Sequence, residues 1–410
     1  DDRVSHETAF VQAAILELLG PRRFDQVVVV ATPTSVAKHY TEFEKTLGDL
    51  GVRDLLRLDI SEELDAAAQW DCFEKILGVM GHGDSLTVDV THGYRLFPVV
   101  ISSALHFLRV SKGVSIDAVL YGAWEKDRER SPVIDMKDFY VIGDYADAVS
   151  SLVENADAGK LARVAAGASG LHAGELGDPE VTKALNDLTG ALRNVEVNLV
   201  REKAGRALAL LAEKRRGASV TSSLLLNLVV EKFVALAREG TEGGLYSTGY
   251  FEVQIAMARL LLEHRLFMQA FTVMREFVVS LADRAARRVL GDDSSLSADK
   301  KKHYLKNSRR MLAEPLAGIV MSGGNLIPHE NDPGGVKFEK YMRPYHGALA
   351  ETGLDGKLSA VLNGLKKYRN GFNHAWTSGK GVPDDFMEKG ESFLADLESV
   401  YGELVKRGLA

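Results

Sequence analysis

The chain of 410 residues has one cysteine, Cys72, which excludes an intrachain disulfide and a thiol-rich metal cluster. A reducing cytoplasm is the expected setting. No apolar run approaches the length that crosses a bilayer, and the N-terminal residues show no signal-peptide pattern, so no membrane partner is expected. An excess of positive charge is also missing. Lys and Arg total 50 against 57 Asp and Glu, and the net charge of −7 argues against a protein that coats nucleic acid with its whole surface. A local basic patch remains compatible with that balance. With 46% hydrophobic and 26% charged residues, the composition is that of a soluble globular protein, and the length calls for two or three domains.

What is present in the first third is an alternation of strand and helix patterns. Residues 26–31, QVVVVA, form a continuous β-branched run expected to be a strand buried on both faces of a parallel sheet. Residues 55–60, 85–90 and 115–121 repeat the theme, with helical patterns at 5–19, 36–50, 62–80 and 98–110 between them. That alternation predicts right-handed βαβ units in a doubly wound, Rossmann-like α/β sheet. Such a fold normally opens on a strand, and the sequence opens in a helical pattern, so a first strand is expected ahead of Asp1. Beyond residue 144 the strand signal fades. Helices are expected at 144–164 and 179–215 around a small-residue segment, and then at 222–238, 250–263, 267–289, 301–312, 358–376 and 384–407. The expected layout is an α/β domain over 1–143, a helical connector over 144–218 and an all-α domain over 219–410.

Two stretches carry chemistry. In LTVDVTHGYRLFP, residues 86–98, a strand ends near Val90 and a helix begins near Pro98. Ligands of doubly wound sheets lie beyond the carboxyl ends of the strands, and a turn there offers free N–H groups to phosphate. Thr91, His92 and Arg95 add donors, and Gly93 permits close backbone approach. Thr32 and the Tyr121–Gly122 pair follow other strands of the same sheet edge, which together suggest a pocket. A plain strand–turn–helix whose Asp89 and Thr91 satisfy local backbone groups explains the same residues.

The second stretch is YRNGFNHAW, residues 368–376. At about 100° per residue, Leu362, Leu365, Tyr368, Phe372 and Trp376 make an apolar stripe. Arg369, Asn370, Asn373 and His374 then occupy the neighbouring polar face beside Lys366 and Lys367. Arg and His together suit metal-free RNA cleavage, in which a 2′-OH attacks its own phosphate, His moves protons and Arg meets the charge on phosphate oxygens. A solvated helix face is the alternative, made less comfortable by Gly371 and two asparagines at helical positions.

VDVTHGYR resembles the D-x-T-H-G motif of CRISPR-associated proteins with a CARF domain, and RNGFNH resembles the R-x4–6-H motif of HEPN ribonucleases. FVQAAILEL, LDIS, WDCFEKI, YGAWE and IDMKDF resemble segments of that CARF family in the same order, so the likeness covers nearly the whole chain, most densely to about residue 150. The chain is thus similar to CARF–HEPN ancillary ribonucleases of type III CRISPR systems. The resemblance implies a CARF sensor of cyclic oligoadenylates, with cyclic tetra-adenylate as the activator and cyclic hexa-adenylate as the alternative, and a HEPN domain that cleaves single-stranded RNA. It implies catalytic Arg369 and His374 with Asn370 in support. The activator pocket would use Thr32, Thr91, His92, Gly93, Arg95, Tyr121 and Gly122. Asp89 would orient the turn rather than face phosphate. The implied assembly is a homodimer or higher even oligomer, with one composite site formed by paired HEPN motifs, no metal and no DNA partner. Arg275 and Glu276 would lie near that interface or form a structural ion pair, and Lys301 and Lys302 would guide RNA or simply be surface lysines. Rival readings are a CARF-type transcription regulator, a ring nuclease that degrades the activator in its CARF pocket, and a stand-alone HEPN toxin.

Overall fold

The computed structural model describes residues 4, 5, 7–63, 65–93, 96–123, 131–167, 174–237, 247–292, 294–299, 301, 302, 318, 320, 343, 346–377 and 381–408. The chain divides into two compact units, Asp1–Asp144 and Tyr145–Ala410. The first is a small α/β region and the second is helical.

In the first unit α1 (Val11–Leu19) precedes β1 (Val27–Ala31). A turn at Pro33–Ser35 and a π-helical turn at Val36–Tyr40 lead into α2 (Thr41–Asp49) and β2 (Leu55–Asp59). Then follow α3 (Ala66–Val79), β3 (Ser85–Asp89), α4 (Phe97–Ser111), β4 (Ser115–Gly122) and β5 (Val133–Asp135). The helical pattern at 62–80 starts four residues late because the Asp65 carboxylate caps it, accepting the Ala68 N–H at 2.8 Å. Helix α5 (Lys137–Asn155) contains the boundary between the units.

Among the described residues the strands form two ladders rather than one continuous sheet. β1 pairs with β2 in parallel, Val27 opposite Leu55; β3 pairs with β4 in parallel, and β4 with β5 antiparallel. β5, three exposed residues after Pro132, has no pattern that a sequence reading can catch. The expectation that the valine run is buried on both faces does not hold. Of β1 only Ala31 is buried, and Val30 is 38% exposed. Val27 and Val29 share one face, and Val28 and Val30 fall on the opposite face, where no described apolar cluster includes them. In the plane of the sheet Val27 donates to Asp54 and Ala31 accepts from Ile60, so Val28 and Val30 turn their backbone groups away from β2. β3 likewise has one neighbour, β4. The two ladders share a helix layer: Leu58 of β2 and Leu86 of β3 belong to one apolar cluster with Cys72 and Ile76 of α3 and Leu108 of α4. On Val27 and Val29 of β1 pack Leu16 of α1 and Phe43 and Leu47 of α2.

The second unit contains α6 (Gly159–Gly167), α7 (Pro179–Arg193), α8 (Val197–Arg215), α9 (Val220–Phe233) and α10 (Thr248–Glu263). After these come α11 (Phe267–Asp292), α12 (Leu354–Asn373) and α13 (Phe386–Lys406). Side-chain caps start three of them: Asp178 for α7, Ser219 for α9 and Ser247 for α10. One core holds the unit together, and Leu185, Leu188 and Leu211 from the stretch expected to be a connector share it with Phe251, Phe271 and Leu365. Among the described residues, 220–237 is long and apolar enough to cross a membrane, which corrects the reading that no run approaches that length. Its Leu226, Val229, Phe233 and Leu236 are buried in the core of the unit. Residues 303–312 of the helix expected at 301–312 lie outside the described residues.

Candidate functional site

The turn after β3 is built around the Asp89 carboxylate. Its Oδ1 accepts the Thr91 N–H at 3.2 Å and the Thr91 hydroxyl at 2.5 Å, and its Oδ2 accepts from Gln12 Nε2 at 2.9 Å. Thr91 Oγ1 in turn accepts the Gly122 N–H at 2.8 Å, tying the end of β4 to the turn. Asp89 thus orients the turn, and Thr91 and Gly122 meet. Glycine at 122 is required by crowding: a Cβ there would stand 2.5 Å from Val11 Cγ2 and 3.4 Å from both Thr91 Cγ2 and Oγ1. Gly93 has a φ of 140°, a conformation open to glycine, and lies against Phe97. His92 is exposed, with Nδ1 3.2 Å from Gln12 Nε2. Gln12 Nε2 thus stands between the Asp89 carboxylate and the His92 ring.

Tyr121 is 41% exposed beside Gly122. Thr32 belongs to a different cluster: its side chain accepts from Ser35 N–H at 3.3 Å and the Ser35 hydroxyl accepts from Thr32 N–H at 2.9 Å. Next to it Glu62 accepts from the Thr34 N–H at 2.6 Å and the Thr34 hydroxyl at 2.9 Å, and these bonds lower the Glu62 pKa. No described hydrogen bond joins Thr32 to the Thr91 turn. Arg95 lies outside the described residues.

In the helical unit the polar turn caps α12. The helix stops at Asn373 and His374 is its C-cap, whereas the pattern had placed the sequence inside a helix running to Trp376. The His374 N–H donates to Asn370 O, and the His374 carbonyl accepts from Thr377 N–H and Oγ1. Trp376 N–H closes onto Gly371 O at 2.8 Å, with Ala375 and Trp376 both in the left-handed region. Arg369 is half-buried, and Asn370 and His374 are exposed. Arg369 lies within α12 and His374 is its C-cap, so the two stand at the end of the helix rather than inside one that runs on. No hydrogen bond or ion pair engages the side chains of Arg369, Asn370 or His374 among the described residues.

Beneath this turn lies an aromatic floor. Tyr368 and Phe372 meet Phe271 of α11 at centroid distances of 5.2 and 6.1 Å, and Phe372 stacks on Phe386 at 5.3 Å. The Tyr368 hydroxyl donates to Asp385 at 2.6 Å; burial, then that carboxylate, push its pKa upward. Sequence reasoning missed Gln12 and Asp385. The first was readable only as a lone amide within an apolar helix, and the second gave no local signal, lying 17 positions from Tyr368. Compared with known proteins, the chain matches no family model and no curated protein.

Proposed function

We propose that the chain is a CARF–HEPN ancillary ribonuclease, switched on by a cyclic oligoadenylate and cutting single-stranded RNA in the cytoplasm. The observation that carries this reading is the pairing of two motifs with two local geometries in one chain. VDVTHG ends a parallel strand as a cross-braced turn, and RNGFNH ends a helix with Arg369 and His374 uncommitted to any described partner.

The chemistry follows from the side chains. The substrate 2′-oxygen forms a bond to phosphorus, the P–O5′ bond breaks, and the ends are a 2′,3′-cyclic phosphate and a 5′-OH. One proton leaves the 2′-OH and one arrives at the departing oxygen. A single His374 cannot take both positions at once, but two copies of the chain supply one base and one acid. Arg369 offers its guanidinium to the phosphate oxygens, whose charge grows in the transition state. Arg369 and His374 need not meet within one copy, because a composite site can take one from each. Exposed Trp70, Phe107 and Val110 on the first unit, and Val220, Leu224 and Leu228 on the second, offer apolar area for a homodimer to cover.

In the sensor, N–H groups of the turn after β3 would meet activator phosphates, with the exposed His92 beside them. A two-fold symmetric ring suits two such turns facing each other, a condition met by cyclic tetra-adenylate, the proposed activator, and equally by the alternative, cyclic hexa-adenylate. A second reading, a ring nuclease, draws on the exposed His92 ring held beside Gln12. The decisive assay supplies labelled single-stranded RNA with each ring separately, and follows RNA and ring together. Cleavage of RNA only with an activator present is expected; ring loss with intact RNA selects the second reading, and no turnover of either overturns both.

A further inference from the structure

Residues 356–383, which contain most of α12 and the Arg369–His374 turn, include no Asp or Glu, although 57 of the 410 residues are acidic. Lys366, Lys367 and Arg369 therefore have no carboxylate at the i±3 or i±4 positions that pair charges on a helix. Lys357 of the same helix finds Asp396 of α13 instead, at 3.8 Å. From residue 346 onward, Lys389, Lys406 and Arg407 also have a carboxylate each, at 3.1–3.9 Å. Lys366, Lys367 and Arg369 have none among the described residues. Lys366 and Lys367 are exposed, and the Lys367 Nζ rests 5.3 Å from the centre of the Tyr368 ring. Asp385 and Glu388, at the start of α13, are engaged by the Tyr368 hydroxyl and by Lys389.

Basic residues near a helix C-terminus often balance its dipole, but that effect is confined to the last turn, and these lysines lie before it. Lys366 and Arg369 are instead like charges at i, i+3, an arrangement that costs stability until an anion lies across it. We propose, resting on the ribonuclease reading, that Lys366 and Lys367 bind backbone phosphates of the single-stranded RNA beside the bond that is cut. Lys367 stands about 10 Å before His374 along the helix axis, so it meets a neighbouring phosphate rather than the reacting one. Exposed Asn370 lies one turn beyond Lys367 and can donate its amide to the same strand. Both lysines are thus positioning residues, and the reacting groups are left to Arg369 and His374. An acid-free helix face also gives a chain of net charge −7 a local attraction for a polyanion.

The test measures binding of a fluorescein-labelled 2′-O-methyl RNA, which lacks the attacking 2′-OH, to the full chain across a salt series, with and without cyclic tetra-adenylate. For single strands log K falls with log salt by about 0.7 for each phosphate neutralised. The double variant Lys366→Gln/Lys367→Gln should therefore flatten the slope by about 1.4. Lys357→Gln, which removes an ammonium already engaged by Asp396, should keep the parent slope. On cleavable RNA the double variant should raise KM and leave kcat nearly unchanged. A parental slope in the double variant, a loss of kcat with KM unchanged, or no RNA binding by the parent would overturn the proposal. Lysine-dependent binding with no cleavage of unmodified RNA would support this surface and remove the ribonuclease reading instead.

Discussion

The indole of Trp376 folds back over Gly371, its ring atoms standing 2.4–2.5 Å from where a Cβ at that position would be. Gly371 is therefore not an incidental helix-weakening residue. It lets the ring that ends α12 lie flat on the last turn, and the left-handed backbone at Ala375 and Trp376 brings that ring back.

Gly371→Ala tests this relationship. In an unconstrained helix the change would stabilise by about 1 kcal/mol. Here the indole is also held edge-on to Phe372 and Phe386, at 5.7 and 5.8 Å. Displacing a packed ring costs about 1–3 kcal/mol, so a net loss in urea unfolding is expected, with RNA cleavage falling as the turn shifts. Stability equal to or above the parent would mean that the ring moves without resistance.

Arg369→Ala and His374→Ala should each reduce RNA cleavage by roughly 10²–10⁴-fold, with circular dichroism unchanged because neither side chain is engaged by a described partner. Since the nucleophile belongs to the substrate, cleavage by the parent should persist in EDTA and leave 2′,3′-cyclic phosphate ends. Full activity in either variant removes the assigned site. Equimolar mixing of the two inactive variants adds a sharper check: a composite site in which each copy lends one residue should recover part of the activity.

For the sensor the informative variants are Gln12→Ala and His92→Ala. Gln12 holds both Asp89 and His92, so its loss frees the ring and one carboxylate oxygen without touching the Thr91–Gly122 bond. Both variants should raise the activator concentration needed for half-maximal cleavage while leaving the saturated rate nearly unchanged, since activation rests on preferential binding to the active arrangement. Titration calorimetry that finds parent affinity for every ring in both variants would move the pocket elsewhere.

How far the sequence disclosed this architecture depends on the range of the signal. Periodicity located β1 to β4 and most long helices, because each pattern is local and repeated several times. It misjudged the burial of the valine run, since burial depends on what covers each face of a strand, and among the described residues an apolar cluster covers only the Val27–Val29 face of β1. Spacing placed Asp89, Thr91 and Gly122 on one sheet edge, but could not separate Thr32, whose partners are Ser35 and its own local backbone. The helix end at Asn373 was hidden because its stop signal is a tryptophan fold-back rather than the usual glycine.

The edge position of β1 has a measurable signature. Val27, Val29 and Ala31 serve the β2 ladder, whereas Val28 and Val30 face the open side. Hydrogen exchange on residues 1–410 should therefore alternate along the strand, fast at Val28 and Val30 and slow at Val29 and Ala31. Uniform protection of all five amides in the present chain would contradict the two-ladder arrangement.

The last prediction concerns His264, the C-cap of α10, which is 8% exposed. Burial first, then Lys232 and Arg193, lower its pKa to about 4 from an ordinary 6.5, against the opposing pull of Glu263, and neither ring nitrogen has a hydrogen-bond partner among the described residues. The folded state thus holds the ring neutral where the unfolded chain protonates it. The sign follows: this contribution is fully present above pH 6.5, shrinks as pH falls toward 4, and is absent below it. At about 1.4 kcal/mol per pKa unit, the loss is of the order of a few kcal/mol. Carboxylates titrate in the lower part of that window, so the comparison must be differential. Urea unfolding at pH 7.0, 6.0 and 5.0, values chosen on roughly the ordinary histidine scale, should show a shallower decline for His264→Gln than for the parent. Parallel declines would mean that the cavity around the ring admits enough water to stabilise the imidazolium.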